Sequence, residues 1–215
     1  MKKDLIEMVF ILDRSGSMSG LESDTIGGFN SMIEKQKKID GQAIISTVLF
    51  NHEFKVLHNR VDSKDIEPLN EKDYYVSGST ALIDAIGRSI NKIGNIQKYT
   101  PKELRAEKVI FVITTDGMEN ASRQYTYETL KMMVDRQKEK YGWEFIFLGA
   151  NIDAMGVASR FGINEDRVAN YHADSKGTNL NYEVISDALC EFRTSKKISG
   201  EWKNKINKDY SNRNK

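Results

Sequence analysis

Short apolar runs rich in β-branched and aromatic residues alternate along the chain with longer segments of a different period. The runs predict six strands, at residues 6–12, 43–50, 53–61, 108–113, 143–148 and 167–172. Most of them contain few polar residues, as expected of strands that are covered on both faces. Only Asn51 and His52 separate the second run from the third, so this pair is predicted to be an antiparallel hairpin.

Between the runs, apolar residues recur every three or four positions, which is typical of amphipathic helices. Five helices are predicted, marked by Ile26, Phe29 and Ile33; by Leu82, Ala85, Ile86, Ile90 and Ile93; by Leu130, Met133 and Val134; by an N-cap at Asp153 and a closing Gly162; and by Leu180, Val184, Ile185, Ala188, Leu189 and Phe192. This alternation predicts an α/β fold with a mostly parallel sheet between two helical layers.

Charge is balanced over the chain but not at its end. The 32 basic and 31 acidic residues argue neither for nor against nucleic acid as a partner. Residues 196–215 contain seven basic and two acidic residues, so we divide the chain into a domain, 1–195, and a basic C-terminal tail, 196–215. We expect the tail to be a solvated, frayed terminus. Binding of nucleic acid, with Trp202 and Tyr210 available to stack on bases, is an alternative accessory role.

Cysteine content and the N-terminal pattern bear on location. Cys190 is the only cysteine, so an intrachain disulfide is excluded. The apolar run after Lys2 and Lys3 is interrupted by Glu7 and stops at Asp13, which is too short for a signal peptide or a membrane span. We therefore expect a cytoplasmic protein without membrane association.

Three loops rich in oxygen-bearing side chains follow strands or precede helices. They are Asp13-Arg14-Ser15-Gly16-Ser17, Ser77-Gly78-Ser79-Thr80 and Thr114-Thr115-Asp116-Gly117. Each alone could be an ordinary turn or helix cap. Open α/β sheets, however, bind ligands at the carboxyl ends of their strands, and oxygen ligands suit a hard divalent cation. Together the loops predict one cation site.

The same loops carry a family resemblance that covers about residues 5–195. The first resembles the D-x-S-x-S signature of von Willebrand factor A domains, and the other two resemble their threonine and aspartate loops in order and separation. The resemblance, to the small intracellular prokaryotic type, implies a Rossmann-like three-layer sandwich with a six-stranded sheet and one antiparallel edge strand. It also implies a complete metal-ion-dependent adhesion site, with the metal-site residues Asp13, Ser15, Ser17, Thr80 and Asp116.

By this resemblance, Ser15 and Ser17 bind the metal directly, and Thr80 joins them when a partner is engaged. Asp13 and Asp116 act through water or orient the other ligands. The expected cation is Mg²⁺, with Mn²⁺ or Ca²⁺ as alternatives, and the expected ligand is an Asp or Glu of a partner protein. Relatives of this kind work beside AAA+ ATPases or stress-response systems, which are the partner classes implied. No catalysis is expected.

Residues around the predicted site are expected to be peripheral. Arg14 should point away from the metal, toward a solvated rim that could also include Met18, Ser19, Asn51, Met118, Glu119 and Asn120. Tyr74 and Tyr75 are expected to be packing residues.

The alternative function is a metal-dependent phosphohydrolase that uses Asp13. The sequence argues against it, because it lacks a G-x-x-x-x-G-K-[ST] loop and has Ser15 where an aspartyl-phosphate phosphatase has a second aspartate. The three histidines show no zinc-binding spacing.

Overall fold

The computed structural model describes residues 1–213 as a sheet between two helical layers. The strands are β1 (Lys2–Asp13), β2 (Gln42–Phe50), β3 (Phe54–Asp62), β4 (Ala106–Thr115), β5 (Glu144–Ala150) and β6 (Val168–Tyr171). The helices are α1 (Glu22–Lys37), α2 (Leu82–Tyr99), α3 (Tyr127–Tyr141), α4 (Ala154–Arg160), α5 (Ser175–Ser195) and α6 (Asn204–Arg213). All six predicted strands and all five predicted helices are confirmed, and α6 was not predicted.

The strand order is β3-β2-β1-β4-β5-β6, and only β3 is antiparallel to its neighbour. This confirms the predicted α/β sandwich with an antiparallel edge strand. β1 and β4 lie side by side at the centre, and the chain progresses outward from them in opposite directions. Their carboxyl ends therefore form the topological switch point, where such sheets bind ligands.

Alternate residues of β1 enter two separate cores. Met8, Phe10 and Leu12 pack in the core beneath α1 and α5. Val9 and Ile11 pack in the core beneath α2, α3 and α4. Because residues 5–13 of β1 are covered on both faces, the backbone is fixed there, and the loop that follows starts from a fixed end.

The C-terminal segment packs on the first of these cores. Ile198, Trp202 and Ile206 are buried there, and the Trp202 indole N–H donates to the Asp166 carbonyl at 2.8 Å. The expectation of a frayed terminus is therefore wrong for residues 196–213, because three apolar side chains spaced four residues apart have a core to enter. Trp202 is not free to stack on bases. Residues 214 and 215 of the predicted tail lie outside the described residues.

No helix within residues 1–213 combines the length and the apolar composition that crossing a bilayer requires.

Candidate metal centre

The three predicted loops meet at the carboxyl ends of β1 and β4. Leu12 of β1 is in register with Thr114 of β4, so the residues that follow each strand are neighbours. The second loop is attached to the first through its backbone, because Gly16 N–H donates to the Gly78 carbonyl at 3.0 Å. A second such bond runs from Ser77 N–H to the Arg14 carbonyl at 2.9 Å. The meeting of the three loops is a consequence of strand register and these backbone bonds.

Hydroxyl groups from two loops and a carboxylate from the third converge on one small volume. The Ser15 and Ser17 hydroxyl oxygens lie 3.0 Å apart, and Ser17 donates to Asp116 Oδ1 at 2.6 Å. A Cβ atom added to Gly117 would lie 2.9 Å from Ser17 Oγ, 2.9 Å from Thr80 Oγ1 and 3.6 Å from Ser15 Oγ. The absence of a side chain at Gly117 therefore leaves room for something that all three hydroxyls can contact. We call the space between the Ser15, Ser17 and Thr80 hydroxyls and Gly117 the cradle.

Asp13 lies beneath the cradle, and both of its carboxylate oxygens accept hydrogen bonds. Its Oδ1 accepts from Ser15 N–H at 2.7 Å, and its Oδ2 accepts from the Thr115 hydroxyl at 2.5 Å. Burial raises the pKa of the Asp13 carboxyl from 3.8 to about 6. Asp13 thus holds the first loop in place and carries a charge that burial makes costly.

Asp116 differs from Asp13 because one of its oxygens has no partner. Its Oδ2 is buried and makes no hydrogen bond to any residue among 1–213. Burial raises the pKa of this carboxyl as well. A buried acceptor without a donor is rare in a folded protein and is satisfied by a cation or by water.

The donor set fits a hard divalent cation. Within residues 1–213, no three His, Cys, Asp or Glu side chains are grouped to hold a metal ion, so two carboxylates and three hydroxyls would have to suffice. Such an all-oxygen set with neutral members is suited to Mg²⁺, which keeps several of its waters. The five predicted metal-site residues are thus brought together by the fold.

Thr80 is positioned by its backbone and not by its hydroxyl. Its N–H donates to Asn120 Oδ1 at 2.9 Å, and its carbonyl accepts from Asn120 N–H at 3.0 Å. The N-cap position of α2 is Ala81, so the interpretation of Thr80 as a helix cap is wrong. Its hydroxyl is left to face the cradle.

Some of the expected rim residues are structural. Glu119 accepts from Ile83 N–H at 2.8 Å and from Ser122 N–H at 2.7 Å, which joins the third loop to the start of α2. Asn51 is buried and donates to the Ser77 carbonyl at 2.8 Å, and Met18 is also buried. The bonds that tie these loops together, Glu119 to Ile83 and Asn51 to Ser77, join residues 36 and 26 positions apart, so no local sequence signal predicts them.

Of the expected rim residues, Met118 is 69% exposed, and Ser19 and Asn120 are also exposed.

The expectation that Arg14 lies on a solvated rim is wrong. The residue is only 1% exposed, because Tyr75 and Glu53 cover it. Its Nη2 lies 3.0 Å from Glu53 Oε2, and its guanidinium carbon lies 4.7 Å from the Tyr75 ring centroid. This buried cation is next in sequence to Asp13 but pairs with another carboxylate.

No family model matches the sequence, and no curated protein does either. Solved structures do match. The ArnB paralog VWA2 from Sulfolobus acidocaldarius is 18% identical with a TM-score of 0.52, over 86% of this chain and 44% of that one. The von Willebrand factor type A protein from Catenulispora acidiphila is 12% identical with a TM-score of 0.58, over 86% of this chain and 42% of that one.

A third match is proximal thread matrix protein 1 from the mussel byssus, in a structure with a zinc-occupied MIDAS motif. It is 14% identical with a TM-score of 0.54, over 86% of this chain and 46% of that one. At such identities the likeness shows the fold: the chain has the fold of von Willebrand factor A domains. It spans less than half the length of each of these three chains.

Proposed function

We propose that this protein is a non-enzymatic interaction module that binds an acidic side chain of a partner protein through a divalent cation, in the first place Mg²⁺. The observation that carries the proposal is the cradle at Gly117, where the hydroxyls of Ser15, Ser17 and Thr80 converge beside the unpartnered Oδ2 of Asp116. The mussel protein has the same fold with a metal-occupied motif, which supports the proposal.

The charge of the donor set favours binding of a further anion. The three hydroxyls are neutral, and both oxygens of Asp13 already accept hydrogen bonds from the protein. Asp116 shares one oxygen with Ser17 and has only Oδ2 left to give. A divalent cation held by this set keeps much of its charge, so it can attract a carboxylate from another molecule.

The same residues give little support to the phosphohydrolase alternative. The position two residues after Asp13, where such an enzyme has an aspartate, is Ser15. Its backbone N–H donates to Asp13 Oδ1, and its hydroxyl lies in the cradle next to that of Ser17. Asp13 itself is buried beneath the cradle and engaged on both oxygens, so it is badly placed to attack a substrate.

Metal binding is tested by urea denaturation with and without Mg²⁺. A ligand at about 100 times its Kd stabilises the folded state by about 2.7 kcal/mol. The family resemblance links direct binding by Thr80 to partner engagement, but the Thr80 hydroxyl already faces the cradle beside that of Ser17. Thr80→Val keeps the shape of the side chain and removes this oxygen, so we expect the Mg²⁺ affinity to fall at least about tenfold even without a partner. Thr178→Val is the matched control, because Thr178 is equally buried but lies in α5.

Partner binding is tested by affinity capture in Mg²⁺ and in EDTA, with the wild type and both threonine variants. We expect a captured protein that is lost in EDTA and with Thr80→Val but kept with Thr178→Val. No stabilisation by millimolar Mg²⁺, or equal affinities for the two variants, would refute the metal centre. Metal binding without Mg²⁺-dependent capture would refute the interaction role alone.

A further inference from the structure

A cavity of about 410 Å³ lies at the amino end of the sheet, opposite the metal centre. It is enclosed by the second half of α2, the end of α3 and the first residues of β4. Its lining includes the aromatic side chains of Trp143 and Tyr141 and touches the almost fully buried Ile90 and Val109. Its volume is within the range of about 300–1,000 Å³ that is typical of small-molecule sites.

The side chains at the mouth of the cavity are mainly cationic. The cationic residues are Lys98, Lys102, Arg105 and Arg136. None of them forms an ion pair with another residue among 1–213. Arg105 is held in place, because its guanidinium donates to the carbonyls of Thr100 at 2.7 Å and Lys98 at 3.0 Å. A fixed guanidinium and three lysine or arginine side chains in one mouth attract an anion.

The acidic residue in the lining does not cancel this charge. Glu107 accepts from Lys196 Nζ at 3.0 and 2.9 Å, and this contact lowers the pKa of the Glu107 carboxyl. On the other side of the mouth, Arg136 lies beside the Tyr141 phenol and, with Lys140, lowers its pKa. The charge of Glu107 is thus compensated by Lys196, and the Tyr141 phenol is next to a cation of the mouth.

A glycine in the wall of the cavity keeps it open. Gly94 lies inside α2, where glycine is an unfavourable residue. A Cβ atom added there would lie 3.7 Å from Gln137 Nε2 and 4.0 Å from Trp143 Cη2, which are ordinary contacts. A larger side chain would therefore enter the cavity without a clash at Cβ.

We propose that this cavity binds a small organic anion with a flat apolar body. The body packs against the aromatic side chains of Trp143 and Tyr141, and the acid group lies among the cations at the mouth. The apolar lining supplies affinity through burial, and the cations fix the orientation of the ligand. This site is separate from the metal centre and needs no divalent cation.

The probe for the test is 8-anilinonaphthalene-1-sulfonate, in buffer without added divalent cation. We expect one molecule to bind per chain with a Kd of the order of tens of micromolar. Dye fluorescence gives the affinity, and the NMR signal of the Trp143 indole N–H reports where the dye binds. That signal should shift with the same Kd.

Gly94→Leu fills the cavity and should weaken dye binding at least about tenfold. Gly27→Leu is the matched control: Gly27 is also inside a helix, and an added Cβ there meets nothing within 4 Å. Circular dichroism and thermal unfolding confirm that both variants fold. Equal dye affinity in the two variants, or an unshifted Trp143 signal, would overturn the proposal.

The charge requirement is tested separately with Lys102→Gln/Arg136→Gln. This double variant should weaken the dye severalfold, and it should leave unchanged the binding of N-phenyl-1-naphthylamine, the uncharged analogue. An equal effect on both probes would refute the role of the cations. Inorganic phosphate should displace the dye only at concentrations far above the Kd of the dye, because phosphate has no apolar body. Displacement with an affinity equal to that of the dye would refute the role of the apolar body.

Discussion

Two buried carboxylates of β1 have different kinds of partner. Glu7 is 0% exposed, and Arg60 Nε lies 2.7 Å from its Oε1. Asp13 is 1% exposed, and its oxygens accept hydrogen bonds from the Ser15 N–H and the Thr115 hydroxyl. No cationic side chain among residues 1–213 forms an ion pair with Asp13, whereas Glu7 has one within the sheet.

The difference is that one charge is paired within the protein and the other is not. A buried carboxylate without a cation is costly, so its pKa rises, and that of Asp13 reaches about 6. β3 supplies the counter-cation of Glu7, whereas no cationic side chain among residues 1–213 forms an ion pair with Asp13 or Asp116. The carboxyl end of β1 is therefore the end that gains from binding a metal.

The largest effect should follow from breaking the structural pair. Glu7→Ala leaves Arg60 partly buried without its carboxylate, and also removes the acceptor for the Gln97 side-chain amide. We expect the free energy of unfolding to fall by about 3–5 kcal/mol, measured by urea denaturation. The Mg²⁺ affinity of the folded variant should change by less than about threefold, because the metal centre is at the other end of the strand.

A double variant, Glu7→Ala/Arg60→Met, is the control, and it should regain part of the lost stability. The comparison fails if Glu7→Ala costs no stability, or if it abolishes Mg²⁺ binding as a change at Asp13 would.

In the metal-free protein, removal of the Asp13 charge should have the opposite effect on stability to removal of the Glu7 charge. Its folded-state pKa of about 6 is above its usual value of 3.8, so the folded state holds the proton more tightly than the unfolded state does. The corresponding stability is fully present below pH 3.8 and is lost as the pH rises through about 6. The loss amounts to about 3 kcal/mol at most.

Asp13→Asn cannot ionise, so this part of the pH dependence should be absent from the variant. In EDTA at pH 7.5, we expect the variant to be at least as stable as the wild type, although it no longer binds Mg²⁺. Urea denaturation from pH 4 to pH 8 measures both. The same slope against pH in the two proteins would show that Asp13 is not the group responsible.

Gly117→Ala should damage the metal centre selectively. The new Cβ would lie 2.9 Å from the hydroxyl oxygens of Ser17 and Thr80, which can rotate away at little cost. We expect Mg²⁺ affinity, measured by calorimetry, to fall about 100-fold, or about 2.7 kcal/mol. Stability in EDTA should change by less than about 1 kcal/mol.

Gly27→Ala is the control for Gly117→Ala, because an added Cβ at Gly27 meets nothing within 4 Å. Unchanged Mg²⁺ affinity in Gly117→Ala would show that the cation does not lie in the cradle.

The strands and the site were predictable from the sequence for one physical reason. Buried strands are continuous apolar runs, and the residues that follow parallel strands meet at one edge of the sheet. The positions of Asp13 and Asp116 are therefore a consequence of pattern and topology alone. The likeness to a known family added the pairing of Thr80 with them.

Partners that are distant along the chain were not predictable. Arg14 is buried because of Glu53 and Tyr75, which are 39 and 61 positions away. Nothing in the sequence around Glu7 indicates that Arg60 reaches it from β3. The basic composition of residues 196–215 also hid the buried apolar positions Ile198, Trp202 and Ile206, of which only Ile206 lies in α6.

The smallest effect should follow from removal of the Tyr74 hydroxyl, which holds the backbone of Asp13. The buried Tyr74 hydroxyl donates to the Asp13 carbonyl at 2.5 Å. Tyr74→Phe removes this donor and leaves the charge of Asp13 unchanged. The expected cost is about 1 kcal/mol of stability, measured by urea denaturation. The Mg²⁺ affinity should fall only about twofold to threefold, because the Ser15 and Thr115 contacts still orient the carboxylate.

Tyr182→Phe is the control, because Tyr182 is buried in the same core. Burial raises the pKa of its phenol, and its hydroxyl makes no hydrogen bond to another residue among 1–213, so its removal should cost less. A loss of Mg²⁺ affinity with Tyr74→Phe as large as that with Asp13→Asn would contradict the comparison. The metal centre would then depend on the position of the first loop and not on the buried charge that distinguishes Asp13 from Glu7.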